Sequence, residues 1–409
     1  MGKPAWQADN KVGEGIVQKV NDWKPSMNWA DLIFVTDNTH PVRELTPYFK
    51  AGYPIFGPSF EASKLELDRE VGQRAFHHAG MATMGGETFT DYNKAIEYVK
   101  STMGRYVSKP SGDADKALSY VSKSPQDMVF MLERWKKLGK TKQPFILQEF
   151  NPGIEMAVGG WFGPNGWSKN FLENFEHKKL MPGDLGVNTG EQGTVMRYVK
   201  DSKLVDMCLK PLTYMLQNMN YRGYLDVAVM INDKGIPLPL EFTARPGWPC
   251  FVIQTALHEG DPAQWMLDSL HGKDTLKVST DIATGVVVSI PDYPYGIKAI
   301  AEVSGFPIYA PDHLLTNGVH LCEVKRGVAP FSEGGKVRDK EMYVTAGNYT
   351  YVATGTGDTV KQSSKRAYRV IDQVELPNSP GYRIDIGDRL ENQLPKLQKM
   401  GFAEGWTYE

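Results

Sequence analysis

Two acidic residues interrupt apolar stretches in the middle of the chain. Asp226 lies within GYLDVAVMI and Glu241 near the end of LPLEF, and residues 232–235 predict a hairpin turn between two strands. An acid in such a run is rarely buried without a partner. The hairpin would let both carboxylates approach one another and hold Mg²⁺, which keeps water and phosphate oxygens among its ligands. The alternative is that the acids face solvent from an edge strand.

Two cationic side chains could meet a phosphate. Arg245 lies in the turn TARPGWP, where a planar cation could stabilise charge on a transferred phosphate or a tetrahedral intermediate. Lys109, at the end of the strand YVSK, is a natural phosphate ligand. The alternatives are a surface salt bridge for Arg245 and a merely solvated Lys109.

The segment EHKKLMPGDLGVNTGEQG, residues 176–193, is predicted to be a glycine-rich loop. Its glycines, with Asn188 and Thr189, would make backbone amides available to an anion. Glycine-rich loops are common, and this one is not a P-loop.

A strand that runs into a turn, LQEFNPGIE, could bind a nucleoside. The amides of Glu149 to Asn151 could face an adenine edge while Glu155 reaches a ribose hydroxyl. An ordinary strand with a surface glutamate is the alternative.

Composition limits the classes of partner. With 41% hydrophobic and 23% charged residues, the 409-residue chain is long enough for two or three packed domains. A formal net charge of -2 gives no general attraction to nucleic acid or membranes, so an anionic ligand needs a local site. The chain shows no apolar run of roughly 20 residues and no secretory signal at its start, which predicts a cytoplasmic protein. Its three cysteines lack the spacing of a zinc site or a disulfide framework.

The order of predicted elements indicates an α/β and α+β chain. DLIFVTDN, PVRELTPYFKAG and YPIFGP read as strand, helix and strand of a first α/β domain, residues 1–82. A small α+β lid follows at 83–147, then a main α+β unit at 148–290, and a β-rich C-terminal domain at 291–409. No G-x-G-x-x-G follows a strand in the first domain, which argues against a dehydrogenase.

Taken in order, these segments resemble the phosphoribosylamine-glycine ligase (glycinamide ribonucleotide synthetase) family over nearly the whole chain. The resemblance is carried by IFGPSFEASKLELDR, YVSK, ILQEFNPGIE, EHKK with GVNTGEQG, LPLEFTARPGWP, and the closing GDTVKQSSKRAYRVIDQV and YRIDIGDR. It implies an ATP-grasp fold with a truncated N-terminal Rossmann-like domain and a C-terminal β-rich domain. It also implies phosphorylation of a carboxylate by ATP with Mg²⁺ (or Mn²⁺), followed by attack of an amine on the acyl phosphate.

The resemblance assigns roles residue by residue. It implies that cations neutralise phosphate charge, that the hinge binds adenine and ribose, that two loop residues position the carboxylate, and that one strand holds metal. The residues are Arg69, Lys109, Lys178 and Arg245 for charge; Gln148, Glu149, Phe150, Asn151 and Glu155 for adenosine; Asn188 and Thr189 for the carboxylate; and Glu241, Asp226 and Thr243 for metal.

Departures from the family pattern bear on the substrate. The family's opening strand with its glycine-rich turn is not found in this sequence. This departure would remove half of the phosphoribosylamine site. A shortened start of this kind resembles virus-borne members of the family. TDNTHPV lacks the family's Gly-Pro-Glu, and the flap PSGDADKAL keeps only Gly112, with Lys116 as its basic residue. Thr243 stands where the family has Asn, a change for which Asp226 would compensate.

Three outcomes therefore stay open. The chain is a ligase of this family, a ligase redirected to another amine or acid, or a catalytically silent nucleotide-binding protein. The expected partners are small molecules, an amine and a carboxylate such as glycine, with no nucleic acid and no membrane. The expected assembly is a monomer or small homo-oligomer.

Overall fold

The computed structural model describes residues 11–38, 40–110, 118–140, 144–295 and 299–409. The flap residues Gly112 and Lys116 lie outside these ranges. Within them, no helix combines the length and apolar character needed to cross a membrane.

The first elements form a small parallel strand pair. β1 (Ile33–Phe34) pairs with β2 (Ile55–Phe56), and α1 (His40–Glu44) and α2 (Thr46–Lys50) connect them, which is the predicted strand, helix, strand order.

Two further helices, α3 (Phe60–Leu67) and α4 (Arg69–His78), lead towards the rest of the molecule. The Asp68 carboxylate accepts hydrogen bonds from two amides in the first turn of α4. This cap begins the helix at Arg69, a predicted site residue.

The described residues from 85 to 150 contain a four-stranded antiparallel sheet covered by two helices, and we call this region the lid. The strand order is β3-β6-β4-β5. Its elements are β3 (Gly86–Phe89), α5 (Tyr92–Thr102), β4 (Tyr106–Pro110), β5 (Tyr120–Val121), α6 (Pro125–Lys137) and β6 (Phe145–Glu149). Buried apolar residues of both helices pack against the sheet, as their helical spacing predicts.

The largest element is an eight-stranded sheet in the order β11-β10-β7-β8-β9-β14-β18-β15. Its strands are β7 (Ile154–Gly163), β8 (Gly166–Met181), β9 (Leu185–Val199), β10 (Gly223–Ile231), β11 (Pro237–Thr243), β14 (Ile282–Ser289), β15 (Val319–Leu321) and β18 (Tyr349–Gly357). The boundary predicted at residue 290 falls between strands of this one sheet. The division into domains stays a prediction.

Shorter ribbons and helices surround this sheet. The ribbons are β12 (His258–Glu259) with β13 (Lys277–Val278), and β16 (Val324–Glu333) with β17 (Lys336–Thr345). The helices are α7 (Lys203–Cys208), α8 (Thr213–Asn218), α9 (Cys250–Thr255), α10 (Pro262–Leu270), α11 (Ile300–Val303), α12 (Asp312–Thr316), α13 (Val360–Ile371) and α14 (Leu390–Lys399). Apolar clusters are buried on both faces of the sheet.

The prediction of a loop at residues 176–193 is wrong. β8 and β9 form a long antiparallel hairpin whose tip is a short 3₁₀ turn at Pro182–Asp184. Continuous polar runs and glycines occupy this part of both strands, and residues 181–187 are exposed, so apolar alternation, the usual sign of a strand, is missing. The glycines lie within or beside paired strands rather than in an open loop.

Candidate functional site

Three carboxylates from three different strands converge on one lysine. The Lys178 ammonium lies 2.6 Å from Glu155, 3.1 Å from Glu176 and 3.6 Å from Glu241. Burial opposes its charge, but Glu155, Glu176 and Glu241 together raise the pKa of Lys178 well above its usual value. We call these four residues, with Arg69 and Lys109, the Lys178 cluster.

Arg69 and Lys109 bring positive charge to the same place from outside the large sheet. Arg69 forms a 2.8 Å ion pair with Glu241, and the Lys109 ammonium donates to the carbonyl of Leu240 at 3.5 Å. Burial, and next the nearby Arg69 and Lys178, lower the pKa of Lys109 to about 8, although Glu241 opposes the shift. Lys109 lies on β4, so this contact joins the lid to β11 of the large sheet.

Glu241 is held in its ionised form. Burial alone would raise its pKa, but Arg69, Lys178 and Lys109 outweigh burial and lower the pKa of Glu241 below its ordinary range. A charged carboxylate beside three cations suits a metal-bound phosphate, because the carboxylate can bind the metal ion and the cations can bind the phosphate oxygens.

Asp226 and Glu241 are held by different partners rather than by one another. The β10–β11 register places Asp226 opposite Thr243 and Ala228 opposite Glu241. Asp226 accepts hydrogen bonds from the Asn174 amide at 3.1 Å and from the Tyr224 hydroxyl at 2.9 Å. Burial, followed by the charge of Glu176, raises the pKa of Asp226 to about 7. The two acids therefore have separate contacts within the protein, and their approach to a shared Mg²⁺ stays a prediction.

The donor set near Glu241 fits a metal that takes few protein ligands. In the described ranges, no group of three or more His, Cys, Asp or Glu side chains is arranged to hold a metal ion. Mg²⁺ is usually held by one or two carboxylates and completes its shell with water and phosphate oxygens. The carboxylate oxygens of Glu241 are ligands of the kind that Mg²⁺ prefers. The half-buried Thr243 lies two residues further along β11.

The hinge prediction is wrong for two backbone amides. The amide of Glu149 donates to Gly85 and that of Phe150 to Arg105, so backbone pairing within the lid already uses both donors. The Arg105 guanidinium lies 3.4 Å from the centre of the Phe150 ring.

The other hinge residues differ in exposure. The Gln148 side chain is buried and Asn151 is half-buried. Glu155 contacts Lys178, and its contact with a ribose stays a prediction.

Asn188 and Thr189 lie on β9 next to the cluster. The Asn188 amide donates to the carbonyl of Ser119 in the lid at 3.3 Å, and the Thr189 hydroxyl donates to the carbonyl of Lys178 at 2.9 Å. Asn188 is thus a second contact between the lid and the large sheet.

Arg245 contacts an acid outside the Lys178 cluster. It forms a 3.0 Å ion pair with Glu66, and both side chains are largely shielded from solvent. Burial raises the pKa of Glu66 even though Arg245 opposes the shift. Of the predicted cations, three are brought together and Arg245 has a partner of its own.

Sequence reasoning missed Glu176, Glu191 and Asn174. Glu176 and Lys178 are two residues apart on β8, and strand alternation would place them on one face. The glycines and charged residues around this pair favour a loop, and they conceal the strand alternation. For Glu191 and Asn174, the chain offered no local pattern, because their neighbours come from other strands.

Comparison with known proteins relates this geometry to a family. A sequence profile described as "Phosphoribosylglycinamide synthetase, ATP-grasp (A) domain" matches residues 68–250, a range that holds the whole Lys178 cluster. Over residues 68–250 the chain is therefore similar to the ATP-grasp domain of phosphoribosylglycinamide synthetases. The predicted ATP-grasp fold is confirmed.

Curated proteins are similar to most of this chain. A phosphoribosylamine-glycine ligase of Lactococcus lactis is 25% identical over 357 residues, which cover 84% of this chain and 80% of the relative. The bifunctional purine biosynthetic protein PUR2,5 of Pichia angusta is 27% identical over 369 residues, 86% of this chain and 44% of the relative. The chain therefore spans less than half of that longer protein.

Solved structures share the fold. The phosphoribosylamine-glycine ligase of Thermotoga maritima superimposes with a TM-score of 0.65 at 23% identity, covering 81% of this chain and 82% of the other. The N5-carboxyaminoimidazole ribonucleotide synthetase of the same organism gives a TM-score of 0.55 at 14% identity, covering 87% and 84%.

Proposed function

We propose that this protein is an ATP-dependent ligase that joins a carboxylate to an amine through an acyl phosphate, as phosphoribosylamine-glycine ligases do. The Lys178 cluster carries the proposal. It sets three cations and a constitutively ionised Glu241 where the lid meets the large sheet. The names of the relatives support the same reaction class.

ATP supplies the phosphoryl group that activates the carboxylate. In this proposal Arg69, Lys109 and Lys178 bind the phosphate oxygens and neutralise their charge, since preorganised cations in a buried site stabilise charge at little reorganisation cost. Glu241 holds Mg²⁺ or Mn²⁺, with Asp226 and Thr243 beside it. Because Lys109 comes from the lid, closing the lid completes the set of cations.

The adenosine part is assigned to the hinge between β6 and β7. The residues that border the base are Gln148, Glu149, Phe150 and Asn151. The backbone amides of Glu149 and Phe150 already donate hydrogen bonds within the protein, so the base is bound by other groups of these residues. Glu155 meets the ribose only by giving up part of its contact with Lys178, which a phosphate would compete for.

Three further residues act on the acyl group. Asn188 and Thr189 position the carboxylate from β9, next to Lys178. Arg245 stabilises developing negative charge, for which its side chain must turn from Glu66. Because Arg245 is paired with Glu66, it is the one cation assigned here that must break an ion pair outside the Lys178 cluster to reach the substrate.

The test is ADP release from ATP and Mg²⁺ with glycine, with and without phosphoribosylamine, and then with a panel of other amines. Release that depends on both glycine and phosphoribosylamine is the expected result, and Glu241→Ala should abolish it. Release with another pair would identify a redirected ligase. ATP binding without turnover under every pair would leave the silent nucleotide-binding protein.

The proposal also covers setting and assembly. The substrates are small molecules, so neither nucleic acid nor membrane is required, and we place the reaction in the cytoplasm. A monomer or small homo-oligomer is proposed, for which light scattering of the purified chain is the measurement.

A further inference from the structure

One carboxylate holds two consecutive residues at the end of β11. Glu66, on α3, accepts a hydrogen bond from the Ala244 amide through Oε2 at 2.8 Å. Its other oxygen, Oε1, pairs with Nη2 of Arg245 at 3.0 Å. The Glu66 side chain is 18% exposed and that of Arg245 is 28% exposed, so water screens this pair less than it screens a surface ion pair. Both oxygens of Glu66 are therefore engaged, one by the backbone and one by a side chain.

The two contacts of Glu66 differ in how easily they can be broken. The backbone at the end of β11 is held by packing, because Ala244 is fully buried and the Phe242 ring stacks on an aromatic ring of α4 with centres 4.0 Å apart. The Arg245 side chain is partly exposed, and its hydrogen bond from Nη1 to the neighbouring Pro246 carbonyl is long, at 3.3 Å. A rotation of the Arg245 side chain would thus break the ion pair and leave Glu66 bonded to Ala244.

A second ion pair joins the same two parts of the molecule with the charges reversed. Arg69, the first residue of α4, pairs with Glu241 of β11 at 2.8 Å, whereas in the first pair the helix supplies the acid and the chain after β11 supplies the base. Burial raises the pKa of Glu66, and the charge of Glu241 adds to that rise, so the two pairs are close enough to act on one another. Arg245 is therefore held at the border of the Lys178 cluster by an acid that is not part of it.

A bound polyphosphate would offer Arg245 a second partner. Phosphate oxygens bind the planar guanidinium fork in the same bidentate way as a carboxylate does. A fourth cation beside Arg69, Lys109 and Lys178 is repelled by them, and the negative charge of a polyphosphate reverses that balance. The free energy needed to break the contact with Glu66 then reduces the apparent affinity for the anion, as does any step that leads to a binding-competent arrangement.

We infer that Glu66 competes with a bound polyphosphate for the Arg245 guanidinium and so sets how readily Arg245 joins the Lys178 cluster. Glu66 is then a positioning residue, since it acts on the ligand only through Arg245. The inference rests on the proposed function, which assigns phosphate to the Lys178 cluster and developing negative charge to Arg245. It adds control of Arg245 by an acid of α3 to which that function gives no role.

The experiment measures the affinity of the full chain for inorganic tripolyphosphate by calorimetric titration. Glu66→Gln keeps an oxygen for the Ala244 amide and removes the charge that holds Arg245. This variant should bind tripolyphosphate about fivefold more tightly than wild type, which is the scale of a partly shielded ion pair. Glu61→Gln is the matched control, because Glu61 is an exposed acid on the same helix and pairs with Lys64 at 2.7 Å. The control should bind with the wild-type affinity.

A double variant shows whether the gain passes through Arg245. Arg245→Met should weaken tripolyphosphate binding by about threefold, and adding Glu66→Gln to it should change the affinity by less than about twofold. A gain of equal size in both backgrounds would mean that the charge of Glu66 acts on the anion through space, and would overturn the inference. So would weaker binding by Glu66→Gln, which is the result expected of a residue that only supports the fold.

A single variant keeps the test decisive if Glu66→Gln does not fold by circular dichroism. In that case Arg245→Met is compared with wild type, since a threefold loss of tripolyphosphate affinity supports the competition and an unchanged affinity contradicts it.

Failure of this inference and failure of the proposed function give different results. Failure of the ligase proposal would appear as no ADP release under any substrate pair, while Glu66→Gln still binds tripolyphosphate more tightly than wild type. Failure of the competition alone would appear as substrate-dependent ADP release together with equal tripolyphosphate affinities in wild type and Glu66→Gln.

Discussion

The hairpin of β8 and β9 carries two charge clusters of opposite character. At its tip, Arg383 is 1% exposed and donates to both oxygens of Asp385, to Asp184 and to the carbonyl of Lys179. We call Arg383, Asp184 and Asp385 the Arg383 clamp. Further down the hairpin, the Lys178 cluster crowds three acids onto one lysine and depends on groups from the lid.

The difference separates a structural ion network from a candidate ligand site. In the clamp, burial works against charge, but the contacts with Arg383 prevail and lower the pKa values of both Asp184 and Asp385. Next to the Lys178 cluster, the acids Asp226 and Glu191 have raised pKa values, because burial is not matched by enough cations. A satisfied network fixes the chain, whereas the acids beside the Lys178 cluster are buried without matching cations.

The largest expected effect comes from removing the centre of the Lys178 cluster. Lys178→Met should reduce the rate of ADP release by about 100-fold or more, since a buried cation aimed at developing charge contributes on that scale. The rate is measured per folded molecule, with folding checked by circular dichroism. Lys179→Met is the matched control, because the Lys179 ammonium contacts the carbonyl of Gly186 instead, at 3.4 Å. A similar loss in both variants would contradict the assignment.

The complementary change removes the centre of the clamp. Arg383→Met should lower the free energy of unfolding by about 3 kcal/mol, because it leaves partly buried carboxylates without their cation. Urea denaturation gives the value, and ADP release by the folded fraction should fall far less than in Lys178→Met. Arg338→Met, an exposed arginine on β17, should change stability by less than about 0.5 kcal/mol. If Arg383→Met were as stable as wild type, the clamp would not be structural.

A buried histidine beside the Arg383 clamp, His177, makes the free energy of unfolding of the protein depend on pH. Burial, reinforced by the charges of Arg389 and Arg383, lowers the pKa of His177 to about 3, against about 6.5 in an unfolded chain. The neutral ring accepts a hydrogen bond from the Gly387 amide at 3.2 Å. Because the folded state binds the proton more weakly, the stabilisation is present above pH 6.5 and is lost as pH falls towards 3.

His177→Gln removes this titration. Between about pH 6 and pH 4, wild type should lose about 1 kcal/mol of stability per pH unit relative to the variant. The measurement is urea denaturation of both proteins across that range. His313→Gln, a change on the exposed surface of α12, serves as control and should follow wild type. Parallel curves for wild type and His177→Gln would show that His177 is not the titrating group.

How far the sequence could predict these regions depends on the distance between partners along the chain. The strands of β10 and β11 were predicted because their apolar runs and turn are local signals. Lys178 contacts Glu155 on the preceding strand β7, but its contact with Glu241 reaches β11, which follows after several other elements, so no local pattern encodes that contact. The sequence also does not show that the amides of Glu149 and Phe150 are already paired, because their acceptors, Gly85 and Arg105, lie far away along the chain.

The hairpin itself shows the opposite limitation. Residues 176–193 contain glycines and charged residues, which favour a loop when each is weighed by itself. The structure buries the charged side chains of Glu176 and Lys178 against one another, so the residues that make the site also conceal the strand. A polar site built on a sheet is therefore harder to predict than the sheet's apolar edges.

The smallest expected effect concerns the contact between the hairpin and the lid. The hydrogen bond from Asn188 to the carbonyl of Ser119 is long, at 3.3 Å, so Asn188→Ala should weaken binding of a non-hydrolysable ATP analogue by about fivefold at most. Asn165→Ala is matched to it, because Asn165 also donates from its amide to a backbone carbonyl, that of Gly272, but does so away from the lid. Calorimetric titration should show the loss for Asn188→Ala alone. Equal affinities in the two variants would mean that the lid closes without this bond, and that Lys109 is the contact that couples it to the Lys178 cluster.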